Sequence, residues 1–97
     1  GHFTRELIID YSQRTVIIKN KKIDFSNKEF EIIKLLSMNA GQIFDREKIY
    51  EVVWGFEANG DSAVIKEHIR KIRMKLARYS ENEYLETVWG VGYRWKK

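Results

Sequence analysis

The chain has 97 residues, 43% hydrophobic and 33% charged, which is ordinary for one globular domain with a single modest core. It has no cysteine and no apolar run long enough to cross a bilayer, which excludes a disulfide framework, a thiolate metal site and a membrane-spanning helix. The formal net charge is +4, and residues 61–97 carry all of it, with nine Lys/Arg against five Asp/Glu; residues 1–60 hold nine of each.

Gly1-His2, with no initiating Met, reads as the remnant of a tag, leaving residues 3–97 as the domain. Residues 3–25 predict three or four short strands in a meander. Leu7-Ile8-Ile9 and Thr15 to Ile18 are apolar runs. Asp10 to Arg14 is a polar turn, and Asn20-Lys21 is a second break before Lys22 to Phe25. Ser26-Asn27-Lys28-Glu29 has the spacing of a capping box. Phe30, Ile32, Ile33, Leu35 and Leu36 then make a broad apolar helix face, which Gly41 is expected to stop. Asp45 is expected to cap a second helix from Arg46 to about Val53, with Ile49, Val52 and Val53 inward and Trp54-Gly55 at its end. Residues 55–60 form a loop bracketed by glycines, in which Phe56 is either exposed for a protein contact or, the favoured expectation, packed back onto the core.

Asp61 to Tyr79 predicts the helix around which the chain is organised. It has no Gly or Pro, and Ile65, Ile69, Ile72 and Leu76 recur at i, i+4, i+7 and i+11, a single apolar stripe. Asp61 is its expected cap. Lys66, Arg70, Lys71, Arg73, Lys75 and Arg78 occupy the remaining surface, against Glu67 alone after the cap. Such a face is either simply solvated or fitted to the major groove of B-DNA. Ser80 to Glu83 is a polar turn. Tyr84 to Val88 and Tyr93 to Trp95 then read as strands joined at Trp89 to Gly92, where Gly90 and Gly92 are both expected to take the positive φ of a tight turn. Sheet, three helices and hairpin, with the third helix basic, describe a winged helix of α+β class.

Four stretches resemble the effector domain of OmpR/PhoB-type response regulators: Lys28–Leu36, Arg46–Gly55, Val64–Leu76 and Thr87–Trp95. The last two carry the specificity, and the similarity covers roughly residues 7–96. The resemblance implies an N-terminal four-stranded antiparallel sheet, three helices and a C-terminal wing. It implies a phosphorylatable receiver domain that this chain does not contain, and head-to-tail dimers on direct repeats of promoter DNA; the absence of cysteine, for its part, suits a cytoplasmic protein. It places Arg46, Trp54, His68 and Arg70 near the phosphate backbone, Lys71 and Arg73 near bases or phosphates, and Thr87, Tyr93 and Arg94 on the wing near the backbone. The loop that contains Phe56, Glu57 and Asn59 corresponds to one that contacts RNA polymerase. No cofactor, metal or catalytic residue is implied.

The chain departs from the family at three places. Trp89 stands where Arg is frequent and can enter the minor groove, and Trp supplies no such charge; its role stays open. Ala63-Val64 replace a common Arg-Thr pair. Lys66 stands where an acidic residue is frequent, and an ammonium favours guanine acceptors where a carboxylate would accept from cytosine.

The residue chemistry divides the cations into two jobs. Arg46, Arg70, Arg73 and Arg94 suit phosphates, which supply affinity without sequence information. Lys66 and Lys71, with Glu67 between them, suit base edges. Lys66, Arg70 and Arg73 share one flank of the helix, while Glu67, Lys71, Met74 and Arg78 lie opposite the stripe. A rigid helix cannot seat both sets equally deep, so its rotation stays open. Lys75 and Arg78 complement the helix dipole. His68 can be a neutral ring bonded to the backbone, a phosphate donor or a base; no second His outside Gly1-His2, no Cys and no paired carboxylate accompanies it. Trp95 is expected in the core and Trp54 toward the DNA backbone. The rival readings are a winged helix that binds an acidic protein partner, and a small hydrolase or metal protein.

Overall fold

The computed structural model describes residues 2–97, with side chains at all of these except His2, Phe3 and Glu57. Four strands open the chain: β1 (His2–Phe3), β2 (Leu7–Asp10), β3 (Thr15–Ile18) and β4 (Lys21–Ile23). They pair antiparallel in chain order. Leu7, Ile9, Val16, Ile18 and Ile23 are buried while Ile8 is exposed, the period-two pattern of a sheet packed on one side. The β3–β4 turn lies one residue earlier than the sequence suggests. Ile18 pairs with Lys21, and Lys19 and Asn20 both take positive φ, 51° and 68°, as a two-residue hairpin turn requires.

Helix α1 (Asn27–Met38) begins with the predicted capping box: the Glu29 amide donates to Ser26 Oγ at 3.2 Å, and the Ser26 amide donates to Glu29 Oε1 at 2.9 Å. Its stop is Asn39 rather than Gly41. The Asn39 side chain donates to the Leu35 carbonyl at 2.8 Å, and Gly41 instead donates its amide to Trp95 O at 2.8 Å. Helix α2 (Arg46–Trp54) starts at Asp45, which accepts from the Lys48 amide at 2.7 Å. Ile49 is buried and Val53 partly so, but Val52 faces solvent at 47% exposure. A short 3-10 turn (Gly55–Glu57) follows. Phe56, expected to return to the core, is instead fully exposed.

Helix α3 (Val64–Ala77) buries Ile65, Ile69, Ile72 and Leu76, the predicted stripe. Asp61 does not cap it. Its carboxylate accepts from the Ala63 amide at 2.8 Å, turning the chain just ahead of the helix. The first helical amides then bond three residues back, Val64 to Asp61 O, Ile65 to Ser62 O and Lys66 to Ala63 O, so the helix enters through a tight turn with no side-chain cap. Lys75 has a task beyond the helix dipole. Its ammonium lies 2.6 Å from Glu29 Oε1 and joins α3 to the buried cap of α1. Burial pushes the Glu29 carboxyl up, but Lys75 and the Ser26 amide outweigh that and hold it below the usual carboxylate range.

Strands β5 (Leu85–Val88) and β6 (Gly92–Trp95) form the wing. Trp95 is fully buried and stacks on Tyr84, ring centres 5.8 Å apart. Phe44 exchanges two backbone bonds with Tyr93, at 2.8 and 2.9 Å, so residues just before α2 extend the wing sheet.

Glu6 ties the N-terminal sheet to the turn after α3. Ser80, Tyr84 and Asn82 donate to it and Lys19 lies nearby, which holds its carboxyl at about 2 against an ordinary 4.5. The folded state therefore holds its proton more weakly than the unfolded chain. The contribution to stability is complete above about pH 4.5 and is lost as pH falls through about 2. In urea titrations, Glu6→Gln should lie below the wild type at neutral pH, and the gap should narrow near pH 3. A gap independent of pH would remove Glu6 from this role.

Candidate nucleic-acid interface

The stripe of α3 is fixed in the core, so its opposite face points outward. Lys66, Glu67, Arg70, Lys71, Met74 and Arg78 are exposed there. Lys66 and Lys71 have no hydrogen-bonded or ion-paired partner among the described residues. Glu67 takes Arg70 in a two-pronged pair, at 2.7 and 2.9 Å, and this bond holds the Glu67 carboxyl below its usual range. These neighbours on one helical turn thus satisfy each other.

Arg73 binds the wing. Its Nε donates to the Leu85 carbonyl at 2.9 Å, its Nη2 donates to Thr87 Oγ1 at 2.7 Å, and the guanidinium sits 5.8 Å from the Tyr93 ring centre. It works as a strut that sets the angle between α3 and the hairpin. Arg94 lies opposite Glu86 in the strand register and is ion-paired with it. Arg46, on the first turn of α2, has among the described residues only a long contact of 3.5 Å to Glu47.

His68 donates from Nδ1 to the Val64 carbonyl at 2.9 Å, the backbone-bonded arrangement among the sequence alternatives. Its ring meets Trp54 edge-on at 5.3 Å, Trp54 stacks on Tyr50 at 4.9 Å, and the Lys28 ammonium lies 5.1 Å from the Trp54 ring centre. Trp54 is thus a half-buried bracket between α2 and α3. Phe56 and Asn59 are exposed in the α2–α3 loop; the Glu57 side chain lies outside the described residues.

A cleft of about 470 Å³ separates α3 from the wing, and Lys66, Glu67, Arg70, Arg73, Thr87 and Trp89 line it. It brings together most of the third-helix and wing residues singled out from the sequence. Arg46, Trp54, His68, Lys71 and Arg94 lie outside its lining. Sequence reasoning missed the Arg94–Glu86 pair, which becomes legible once the hairpin loop is fixed at residues 89–91. It also missed the Arg73 strut, for which no local signal exists.

Residues 20–95 match the family model described as "Transcriptional regulatory protein, C terminal". The chain belongs to this family. Over 89 residues it is 36% identical to the transcriptional regulatory protein SpaR of Bacillus subtilis, covering 92% of this chain and 40% of that protein. The chain thus spans about two fifths of the length of such relatives. Its fold superposes on DrrB, an OmpR/PhoB homologue from Thermotoga maritima, with a TM-score of 0.87 at 35% identity over 99% of this chain and 44% of that one. The RstA DNA-binding domain of Klebsiella pneumoniae, solved in complex with the RstA box, superposes with a TM-score of 0.80 at 27% identity, over 94% of this chain and 91% of that one. This member of the family is an OmpR/PhoB-type winged helix, a class of DNA-binding transcriptional regulators rather than of enzymes. No helix among the described residues is long and apolar enough to cross a membrane.

Proposed function

We propose that this domain binds double-stranded promoter DNA sequence-specifically, with α3 in the major groove and the wing on the phosphate backbone, as the output of a two-component regulator. One observation carries the reading. The apolar side of α3 is locked in the core, while its outer side presents Lys66 and Lys71, without ion-pair partners among the described residues, beside a wing braced by Arg73. An ammonium without a partner is available to an acceptor at no cost in broken contacts.

The line opposite the core stripe, Glu67, Lys71 and Met74, leads into the groove, with Lys66 alongside on the flank that faces the cleft. Lys66 and Lys71 read guanine acceptors, and Glu67 accepts from cytosine. Arg70 and Arg94 reach phosphates by exchanging Glu67 and Glu86 for them. Arg73 keeps Nη1 for a phosphate while it braces the wing. Arg46, Trp54, His68, Thr87 and Tyr93 line the backbone path. The N-terminal four-stranded sheet lies behind the helices, and in the full protein a receiver domain precedes it, in the cytoplasm. Two copies bind direct repeats head to tail. The full exposure of Phe56, next to Asn59 and Glu57, suits that loop to a contact with RNA polymerase.

The test is fluorescence anisotropy with a short duplex of random sequence, titrated from low to physiological salt. A log–log slope of about −3 to −7 is expected, which corresponds to roughly four to eight phosphates at about 0.9 each. No binding at low salt would overturn the reading and favour an acidic protein partner.

A further inference from the structure

The α2–α3 loop holds two neighbouring residues that can react with each other. Asn59 and Gly60 are both exposed, and they follow the 3-10 turn outside any helix or strand. Of the five asparagines in the chain, only Asn59 precedes a glycine. The carboxamides of Asn27, Asn39 and Asn82 are bonded, to Arg14, the Leu35 carbonyl and Glu6. That of Asn59 has no hydrogen-bonded partner among the described residues. The Gly60 amide does have one: it donates to the Tyr50 hydroxyl at 2.9 Å. Tyr50 is itself set by α2, where its ring stacks on Trp54 at 4.9 Å. Glycine carries no Cβ to crowd its own nitrogen and reaches conformations closed to other residues.

We propose that Asn59–Gly60 is a site of spontaneous covalent modification, by deamidation, and that the Tyr50 hydroxyl is the latch that slows it. Nothing in this depends on the DNA-binding reading. The Gly60 nitrogen gives its proton to hydroxide and attacks Asn59 Cγ. The new C–N bond closes a succinimide ring, and Nδ2 takes a proton from water and leaves as ammonia. Water then opens the ring at either carbonyl, which leaves aspartate or isoaspartate. Water and hydroxide are the only co-reactants. A hydrogen-bonded amide gives up its proton only when the bond opens, so the Tyr50 bond holds back the first step. Either product adds a carboxylate beside a hollow already lined by Glu47, Glu51 and Asp61. Isoaspartate also lengthens the backbone just before Asp61, whose carboxylate turns the chain into α3.

Peptide mapping by mass spectrometry, after incubation at mildly alkaline pH, tests this on the wild type and Tyr50→Phe, each folded and each unfolded in guanidinium chloride. Asn59 should convert ahead of the other asparagines. Tyr50→Phe keeps the ring against Trp54 and removes the hydroxyl. Folded, it should convert about fivefold faster than the wild type, the range of one hydrogen bond. Unfolded, the two should convert at one rate, since neither then holds the latch. Hydrogen exchange of the Gly60 amide in the folded wild type reads the latch without a variant, and the amide should be protected relative to the unfolded chain. Equal folded rates, or an unprotected Gly60 amide, overturn the latch. No conversion of Asn59 in either folded protein, while the unfolded chains convert, overturns the site.

Discussion

Gly92→Ala should destabilise the domain by about 3 kcal/mol or more and loosen the wing. The reason is proximity rather than turn geometry. Of the two wing glycines only Gly90 takes a positive φ; Gly92 is the first residue of β6 and pairs with Val88. A Cβ at Gly92 would lie 2.2 Å from the Phe44 carbonyl oxygen, 2.7 Å from its carbon and 2.8 Å from Asp45 Cα. All three are backbone atoms and none can rotate away. Phe44 is held by its two bonds to Tyr93, and Asp45 caps α2, so relief must come from shifting the wing or the start of α2. For a domain of this size the loss corresponds to a melting temperature lower by roughly 10 °C or more. Calorimetry of Gly92→Ala beside Gly90→Ala separates the two causes. Gly90 has nothing within 4 Å of the added Cβ, so its substitution carries only left-handed strain, about 1–2 kcal/mol. Equal losses in both variants would mean that close approach is not what Gly92 provides.

Lys66→Glu combined with Lys71→Glu should weaken duplex binding by roughly 100-fold or more, since each lost contact of this kind is worth about 1–3 kcal/mol. Folding should be spared. Both side chains are exposed and, among the described residues, without ion-pair partners, and Glu and Lys are nearly equal helix formers. The damage should also exceed what net charge alone produces. Lys21→Glu with Lys22→Glu changes the net charge by the same amount on β4, in the N-terminal sheet, and should have a small effect.

The parts of this account legible in the sequence are those fixed by neighbours along the chain. The Ser26–Glu29 box and the Asp45 cap are local hydrogen-bond patterns. The α3 stripe is a periodicity, and its basic surface follows from it. What stayed hidden depends on contacts between distant segments. Glu29 and Lys75 stand 46 residues apart, so Lys75 read as a dipole complement when it is the partner of a buried carboxylate. Gly92 looked like a turn former because nothing near it in the chain announces the approach of Phe44. Asp61 looked like a helix cap because the turn it makes uses the same side-chain acceptor one step earlier. Phe56 and Val52 read as inward because they are apolar, but α2 turns Ile49 and Val53 to the core and Val52 to solvent, and Phe56 lies in the 3-10 turn beyond it.

The site residues follow the same division. The position of Lys66, Glu67, Arg70 and Lys71 on the outer face of α3 comes from its period. That Arg70, Arg73 and Arg94 are each already engaged does not: Arg73 reaches Leu85 and Thr87 on the wing, Arg94 pairs with Glu86 across the hairpin, and the Arg70–Glu67 pair is a matter of rotamer. Four cations of equal formal charge in the sequence are therefore unequal in the fold: Lys66 and Lys71 are available, Arg70 must exchange a carboxylate, and Arg73 is part of the frame.

The central claim is that the outer face of α3 meets the duplex. The most direct measurement is a paired salt titration by anisotropy of the wild type and the Lys66→Glu, Lys71→Glu double variant on one duplex, with the Lys21→Glu, Lys22→Glu pair as the charge-matched control. The account predicts binding weaker by roughly 100-fold or more at physiological salt for the α3 pair, with the β4 pair close to the wild type. Equal affinity of wild type and α3 variant, or the same loss in both variants, would contradict it.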